Sequence, residues 1–492
     1  MSAPYFNNIK DKKIPSTSTD ALSLLTQICG KSADLNNISI SFGKLNCIVL
    51  SIEGMASIQL MAELIFQPLT EFASAERTAE EVKNFLSKSS IMSSDRQFVS
   101  DVNTILKLLF SGFAVILIDG STEAVCLGIQ GFEKRSVSLP ETEQTVGGAR
   151  DSFNEALRVN MSLIRRRLKT PALRFKLLQV GKLSNTDISI AYIEGRCDPE
   201  ALDRTQQYLM SVKLDTVLNS GYLMTFIDHS YNTSVFSAVM VTERPDTACA
   251  ALNEGKILVL TDGSPACMIL PTVFADNFRT MDDYCEKPYF AAFSRWIKYL
   301  AFVLAVMLPG LYAALVMFHP EVFPLKLLLN LSAAEEATPY PLVVEMTLLM
   351  VLFEIMREAG VRLPKAVGGA VSIVGGLIIG DAAVKSGIVS QPLLIVVGIT
   401  ATASFVLPSL YPAVSVLRII FIIAGGLGGI YGMTLASCLL AVNISSVNLC
   451  RTPYTSPLSP LRPHGIRDLF LRADFHDLQK TRTAISPDNS PA

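Results

Sequence analysis

The residues of this 492-residue chain that could do chemistry are few, and their spacing assembles no reactive set. His229, His319, His464 and His476 lie far apart, without the close pairs that a zinc site needs. Cys29, Cys47, Cys126, Cys197, Cys249, Cys267, Cys285, Cys438 and Cys450 are scattered singly, which fits reduced thiols better than a disulfide framework. No nucleophile elbow and no phosphate-cradling glycine loop ending in Lys-Ser/Thr is present. Asp119 and Asp262 each precede a glycine where a strand-like run ends, and Asp-Gly is first of all a turn preference. The chain therefore reads as a non-enzyme, with no catalytic, cofactor-binding or metal-ligating residue to name. A net charge of −2 and the lack of a basic, aromatic-interleaved stripe argue against nucleic acid as a partner.

Three other groups of residues point elsewhere. Glu345 and Glu354 stand within an apolar stretch, where an acid costs at least about 2.5 kcal/mol near the bilayer centre and must face protein or water. Nine residues apart, they face opposite sides of a helix. Glu354 pairs most naturally with Arg357, and Glu345 is the candidate cation-attracting or gating group. Arg165, Arg166 and Arg167 form a basic run suited to an anionic lipid surface or an acidic partner, or to a solvated helix end. Gly425, Gly428, Gly429 and Gly432 offer small faces at four-residue spacing, the pattern of close helix contacts.

The elements that must position these residues divide the chain in two. Half of all residues are hydrophobic and the mean hydropathy is +0.39, with the excess concentrated after residue 295. The polar stretch 1–19 lacks an apolar export segment, which predicts a cytosolic front half. Within it, strand-like runs ending in acid-glycine occur at 47–54, 113–120, 188–195 and 256–263. Their glycines are 66 and 68 residues apart within pairs, and corresponding members are 141 and 143 apart. Matched motifs at matched spacing predict two copies of an α/β unit. A polar tail (1–35) is expected first, then subdomains at 36–140 and 177–290 around a helical linker (141–176), with helices at 55–72 and 199–217 after the first strand of each.

The region 295–447 predicts a polytopic helical membrane domain, followed by a basic tail (448–492). Spans are expected at 299–318, 341–356, 391–407 and 414–445, with Trp296 as an interfacial anchor and Arg418 snorkelling to an interface. The basic residues after 356 and in the tail both ask for the cytosol. That parity makes the glycine-rich stretch 366–384 a re-entrant segment among four spans, with both termini inside. Val371, Val374 and Ile378 then line one helical face as a candidate apolar gate.

At IEGM (52–55), FNEALRVNMSLIRRR (153–167), YIEG (192–195), TERPD (242–246), GKILVLTDGSP (255–265), DDY (282–284) and EIMREAGVRLP (354–364) the chain resembles the A subunits of bacterial spore germinant receptors, the GerA family. It departs from the family pattern at Leu139-Pro140 and Gly147-Gly148-Ala149-Arg150. The resemblance implies a place in the spore inner membrane, beside a polytopic B subunit and a lipoprotein C subunit. It also implies an oligomeric, nutrient-gated ion channel or signalling subunit that triggers germination. A SpoVAF-type paralogue serving ion or dipicolinate release is the alternative within the family, and a non-conducting membrane scaffold the alternative outside it.

Overall fold

The computed structural model describes residues 12–42, 45–72, 78–88, 95–131, 143, 147–363, 380–461 and 468–472. Its first half contains two five-stranded antiparallel sheets. Strands β1 (Leu35–Phe42), β2 (Leu45–Ile52), β3 (Arg96–Val99), β4 (Phe113–Ile118) and β5 (Ala124–Gly128) lie in the order β1-β2-β4-β5-β3. Strands β6 (Leu173–Val180), β7 (Thr186–Ile193), β8 (Met240–Thr242), β9 (Ile257–Thr261) and β10 (Cys267–Leu270) repeat that order as β6-β7-β9-β10-β8. The repeat read from the acid-glycine spacing is thus a repeat of topology.

Each sheet also carries equivalent helices. In the first repeat these are α1 (Ser18–Cys29), α2 (the consecutive segments Ile58–Met61, Ala62–Phe66 and Gln67–Phe72) and α3 (Val102–Leu109). In the second they are α4 (Leu157–Arg167), α5 (Pro199–Met210) and α6 (Pro245–Asn253). Two expected boundaries need correction. Residues 18–29, placed in the polar tail, form α1, whose Ala21, Leu25 and Cys29 are buried in the first repeat. Residues 157–167, assigned to a linker, form α4, the counterpart of α1, with Leu157, Met161 and Ile164 in the core of the second repeat. Both helices are polar on one side, so a reading weighted by hydropathy undervalues them.

The acid-glycine turns have a further use. Asp119 Oδ1 accepts the Ser18 N–H at 3.0 Å, and Asp262 Oδ1 accepts the Leu157 N–H at 3.0 Å. Each turn therefore supplies, from across the repeat, the N-terminal cap that its first helix lacks locally. Gly120 and Gly263 complete the turns with φ of +83° and +78°, a conformation that favours glycine.

Alternating residues of the central strands bury both faces of each sheet, as period-2 geometry requires. In β9, Leu258 and Leu260 face α4 and α6, whereas Ile257 and Val259 face the opposite core. That second core is continuous with the helical domain. It runs from Ile188, Val259 and Met268 through Phe278 to Phe302, Ala305 and Val306, and on to Val414, Leu417 and Phe421.

The helical domain comprises α7 (Pro288–Phe318), α8 (Leu325–Glu336), α9 (Leu342–Arg362), α10 (Gln391–Phe405) and α11 (Tyr411–Ser446). By length and composition α7, and α11 with the short turn before it, are apolar enough to cross a membrane. α11 corrects the expectation of one long span over 414–445. Gly429 has φ +56° and ψ −141°, and the chain reverses there. Before it, Arg418 Nε reaches Ala305 O at 3.1 Å, Gly425 packs on Gly310, and Gly429 itself packs on the ring of Phe318. After it, Met433 returns to Gly310, and Asn443 Oδ1 accepts Ser234 Oγ at 3.0 Å and Val235 N at 3.3 Å on the α/β domain. The two arms are each about 26 Å long at 1.5 Å per residue, close to the hydrocarbon thickness of about 30 Å.

Of the four glycines singled out, Gly425 and Gly432 lie where a Cβ would overlap Gly310 O and Ala424 O respectively, Gly429 makes the reversal, and Gly428 faces open space. Gly310 and Gly426, not singled out, make equally close approaches, to Phe421 O and to Val343. Gly425→Val should therefore lower the thermal midpoint of the detergent-solubilised chain by the equivalent of about 1–3 kcal/mol, and Gly428→Val should leave it unchanged. Asp119→Ala and Asp262→Ala should each cost about 1 kcal/mol, as lost caps do, in chemical denaturation of the α/β domain within the full chain.

Candidate functional site: buried charges at the domain junction and among the helices

Helix α7 leaves the α/β domain with Arg295 and Lys298 already inside the protein. Arg295 is fully buried. Its Nε donates to Asp283 Oδ2 at 2.8 Å, and its Nη1 donates to Asp468 Oδ1 at 3.0 Å and to the Asp468 carbonyl at 2.7 Å. Lys298 Nζ donates to Asp283 Oδ1 at 3.0 Å and to Thr280 Oγ1 at 2.8 Å. Asp283 belongs to the single helical turn Asp282–Cys285 just before α7, and Asp468 to the segment after the helical domain.

The pairing continues into the second repeat. Asp468 Oδ2 accepts Arg279 Nη2 at 2.8 Å and the Tyr284 hydroxyl at 2.6 Å. Arg279 Nη2 donates to Glu254 Oε1 at 2.7 Å, Glu254 pairs with Lys256 at 3.1 Å, and Lys256 Nζ reaches Asp276 Oδ2 at 2.8 Å. The result is an alternating chain, Lys256, Glu254, Arg279, Asp468, Arg295, Asp283, Lys298, linking the end of α6, the segment before α7, α7 itself and the tail. Burial by itself would raise the Glu254 carboxyl, but Arg279 and Lys256 outweigh it and hold the group at about 2. Burial likewise disfavours a charged Lys256, yet Asp276 and Glu254 push its value up. Burial also pushes the Tyr284 hydroxyl up, keeping it a donor to Asp468.

A second polar cluster sits among the helices. Glu354 on α9 accepts the Tyr411 hydroxyl at 2.6 Å, Ser415 Oγ at 3.0 Å, Arg357 Nε at 3.2 Å and Arg418 Nη1 at 3.5 Å. The expected Glu354–Arg357 pair is present. Arg418, expected to snorkel, is instead buried to 1 % exposure inside the bundle, because Glu354 and the Ala305 carbonyl replace its water. Glu345 meets none of these groups; it is buried at the other end of α9 and accepts the Ser390 N–H at the start of α10. Val371, Val374 and Ile378, the candidate gate, lie outside the described residues, as does most of 366–384.

The basic triplet is largely consumed internally. Arg165 is buried where the repeats meet, its Nε bonded to Asp34 Oδ2 at 2.8 Å and its guanidinium over the rings of Phe110 (4.9 Å) and Phe175 (5.1 Å). Arg167 is bonded to Asp151. Only Arg166 keeps a half-exposed side chain, so the triplet does not present a continuous basic face. Trp296 is half exposed and stacks on Phe470 at 5.4 Å. All nine cysteines are free, and all but Cys285 and Cys438 are buried, with burial pushing thiols such as Cys126 and Cys249 up to about 12. Among the described residues no three His, Cys, Asp or Glu side chains come together as a metal site. The junction escaped the sequence reading because its members come from five separate stretches; the signal available was the Asp282-Asp283-Tyr284 motif ahead of Arg295 and Lys298, which follow Asp283 by 12 and 15 residues.

A profile of the Bacillus/Clostridium GerA spore germination proteins matches residues 23–484. Spore germination protein KA of Bacillus subtilis (strain 168) is 36% identical over 465 residues, covering 94% of this chain and 85% of that protein. The uncharacterized membrane protein YfkQ of the same organism is 33% identical over 492 residues, covering 99% and 93%. The crystal structure of the N-terminal domain of the A subunit of the Bacillus megaterium spore germinant receptor GerK3 aligns with 54% of this chain and 98% of its own, at 23% identity and a TM-score of 0.41.

Removing one member of the junction leaves buried charges unmatched. Asp468→Asn should therefore destabilise the chain by about 3–5 kcal/mol and release the tail to limited proteolysis. The folded value of Glu254 lies below the unfolded carboxyl value of about 4.3, so its stabilisation is complete above that pH and is lost as pH falls toward about 2. Lys256 runs oppositely: its raised value stabilises below about pH 10.4 and is lost as pH rises past the folded value. Denaturation midpoints should stay flat between these limits and drop outside them, and Glu254→Gln should remove much of the acid limb.

Proposed function

This chain belongs to the GerA family of spore germination proteins, and from that premise we propose that it is the A subunit of a nutrient germinant receptor in the spore inner membrane. In this reading the double-repeat domain is the cytosolic receiving part and the helical domain carries the response across the membrane, as an ion path or a signalling element. The observation that carries the reading is the continuity of the junction. One apolar core and one alternating charge chain join the second repeat to both ends of the helical domain, at Arg295 and Lys298 of α7 and at Asn443 after the reversal. A scaffold with a mere anchor needs no such coupling, because a span on a loose linker would hold the domain equally well.

The polytopic B and lipoprotein C subunits that the resemblance implies are the partners, and a homo-oligomer is the preferred assembly. The lipid-facing helices in one chain are too few to surround a wide water-filled path. Supporting this, α9 exposes Val344, Leu348 and Val351 along an apolar groove of about 460 Å³. Should the chain conduct, the glycine-rich stretch with Val371, Val374 and Ile378 is the proposed gate, and small or polar substitution at Val374 or Ile378 should give ligand-independent ion leakage from reconstituted vesicles.

Spores lacking this chain should lose germination toward one class of nutrient and keep their response to others, with Lys298→Gln producing the same defect while the protein remains in the membrane. Unchanged nutrient responses combined with slowed ion release would replace the receptor reading by the accessory, SpoVAF-type one.

A further inference from the structure

At the end of the helical bundle remote from the α/β domain, two carboxylates are left with unmet charge. Glu345 is 1 % exposed. Its Oε1 accepts the Ser390 N–H at the start of α10, whereas its Oε2 is buried with no hydrogen-bond partner. Ser390, 4 % exposed, is held against this carboxylate through its backbone, and its own hydroxyl is buried without a partner too. Glu335, in the last turn of α8, points a third orphan into the protein, since its Oε1 is also buried and unpartnered. α8 and the segment leading to Ser390 meet where Ala337 O lies against Gly387. Glu335 lies within electrostatic reach of Glu345, and Tyr312 of α7 within reach of both.

Neither carboxylate has an ion-pair partner among the described residues, in contrast to Glu354, which has two arginines. The N-terminus of α10 offsets roughly half a charge at Glu345. It leaves part of the Glu345 charge unmet in a region walled by Leu342, Met346, Val389 and Leu393, with the Glu335 carboxylate within electrostatic reach. A buried carboxylate such as Glu345, with the partly buried Glu335 adding its charge, is costly in apolar surroundings unless something positive joins them. The orphan atoms are all oxygens, which suits a hard cation rather than one that prefers nitrogen or sulfur.

We propose that Glu335, Glu345 and Ser390 form a binding site for one hard inorganic cation, of the alkali or alkaline-earth class. Glu345 Oε2, Glu335 Oε1 and Ser390 Oγ are its protein ligands, and the cation ties α8, α9 and the start of α10 together. The site stands on this geometry alone and does not depend on the chain conducting ions, although a cation held at the mouth of a path would suit that reading.

The test uses the full chain purified in detergent and follows its thermal midpoint as NaCl, KCl, MgCl2 or CaCl2 replaces N-methyl-D-glucamine chloride at constant ionic strength. At least one of the four should raise the midpoint by several degrees and saturate. Glu345→Gln and Glu335→Gln should each shift the half-saturating concentration upward about tenfold or more. Glu335 is at a helix end and only partly buried, so its variant folds even if Glu345→Gln does not. A midpoint indifferent to all four cations overturns the site, as does an unchanged response in Glu335→Gln, and a rise on acidification in place of any metal effect assigns a shared proton instead. Vesicle conductance measured alongside keeps the two ideas apart, because loss of conductance with intact cation binding counts only against the ion-path reading.

Discussion

An unpaired charge cannot stay in a dry interior, and the architecture of this protein follows from meeting that condition at Arg295. The guanidinium sits at the root of an apolar helix with no water to solvate it, so Asp283 and Asp468 must both be present. Those two carboxylates come from opposite sides of the helical domain in the sequence. Satisfying one arginine therefore requires the helices to be assembled and the chain to have returned. Through Asp468 and Arg279 the same condition reaches Glu254, Lys256 and Asp276 in the second repeat. Four cations and four anions share the junction, and none can be withdrawn without stranding a neighbour.

The shared apolar core makes the coupling mechanical as well as electrostatic. One face of the second sheet packs on α5 and continues into α7 and α11, so a shift in that sheet has no slack to take it up. The first repeat is attached differently. It meets the second through Arg165, held by Asp34 and two aromatic rings, through hydrogen bonds of Phe175 and Arg174 with Ser32 and Ile28, and through the Arg158–Glu53 pair, and its own cores are separate from the helical domain. Its position can therefore change without breaking the core that holds the helices. The duplicated domain thus has one copy sharing its core with the helices and the other attached to its twin by hydrogen bonds and ion pairs, Arg165–Asp34 and Arg158–Glu53 among them.

Within the helical domain, close approach replaces the hydrophobic drive, which is weak between helices surrounded by lipid. Gly310 and Gly425 let two backbones touch, and Gly429 turns the chain so that its end comes back to Ser234 and Val235. Polar groups are tolerated there only in company, as Glu354 and Arg418 show. Glu345 and Glu335 break that pattern, and their orphan oxygens are where the helical domain departs from a purely structural design.

The sequence by itself determined what depends on local pattern: the two repeats, through strand-turn spacing that each copy must satisfy internally; the division between mixed and apolar halves; the family; and the Glu354–Arg357 pair, set by a three-residue helical interval. Tertiary structure decided whatever depends on partners distant in the chain. Hydropathy showed an unbroken apolar run from 414 to 445, and only the positive φ of Gly429 made it a hairpin. Three adjacent arginines read alike, yet packing buried Arg165, paired Arg167 with Asp151 and left Arg166 half exposed. Asp283 and Asp468, 185 residues apart, meet on one guanidinium because burial forbids a lone charge, and of the two only Asp283 lies near Arg295 in the sequence.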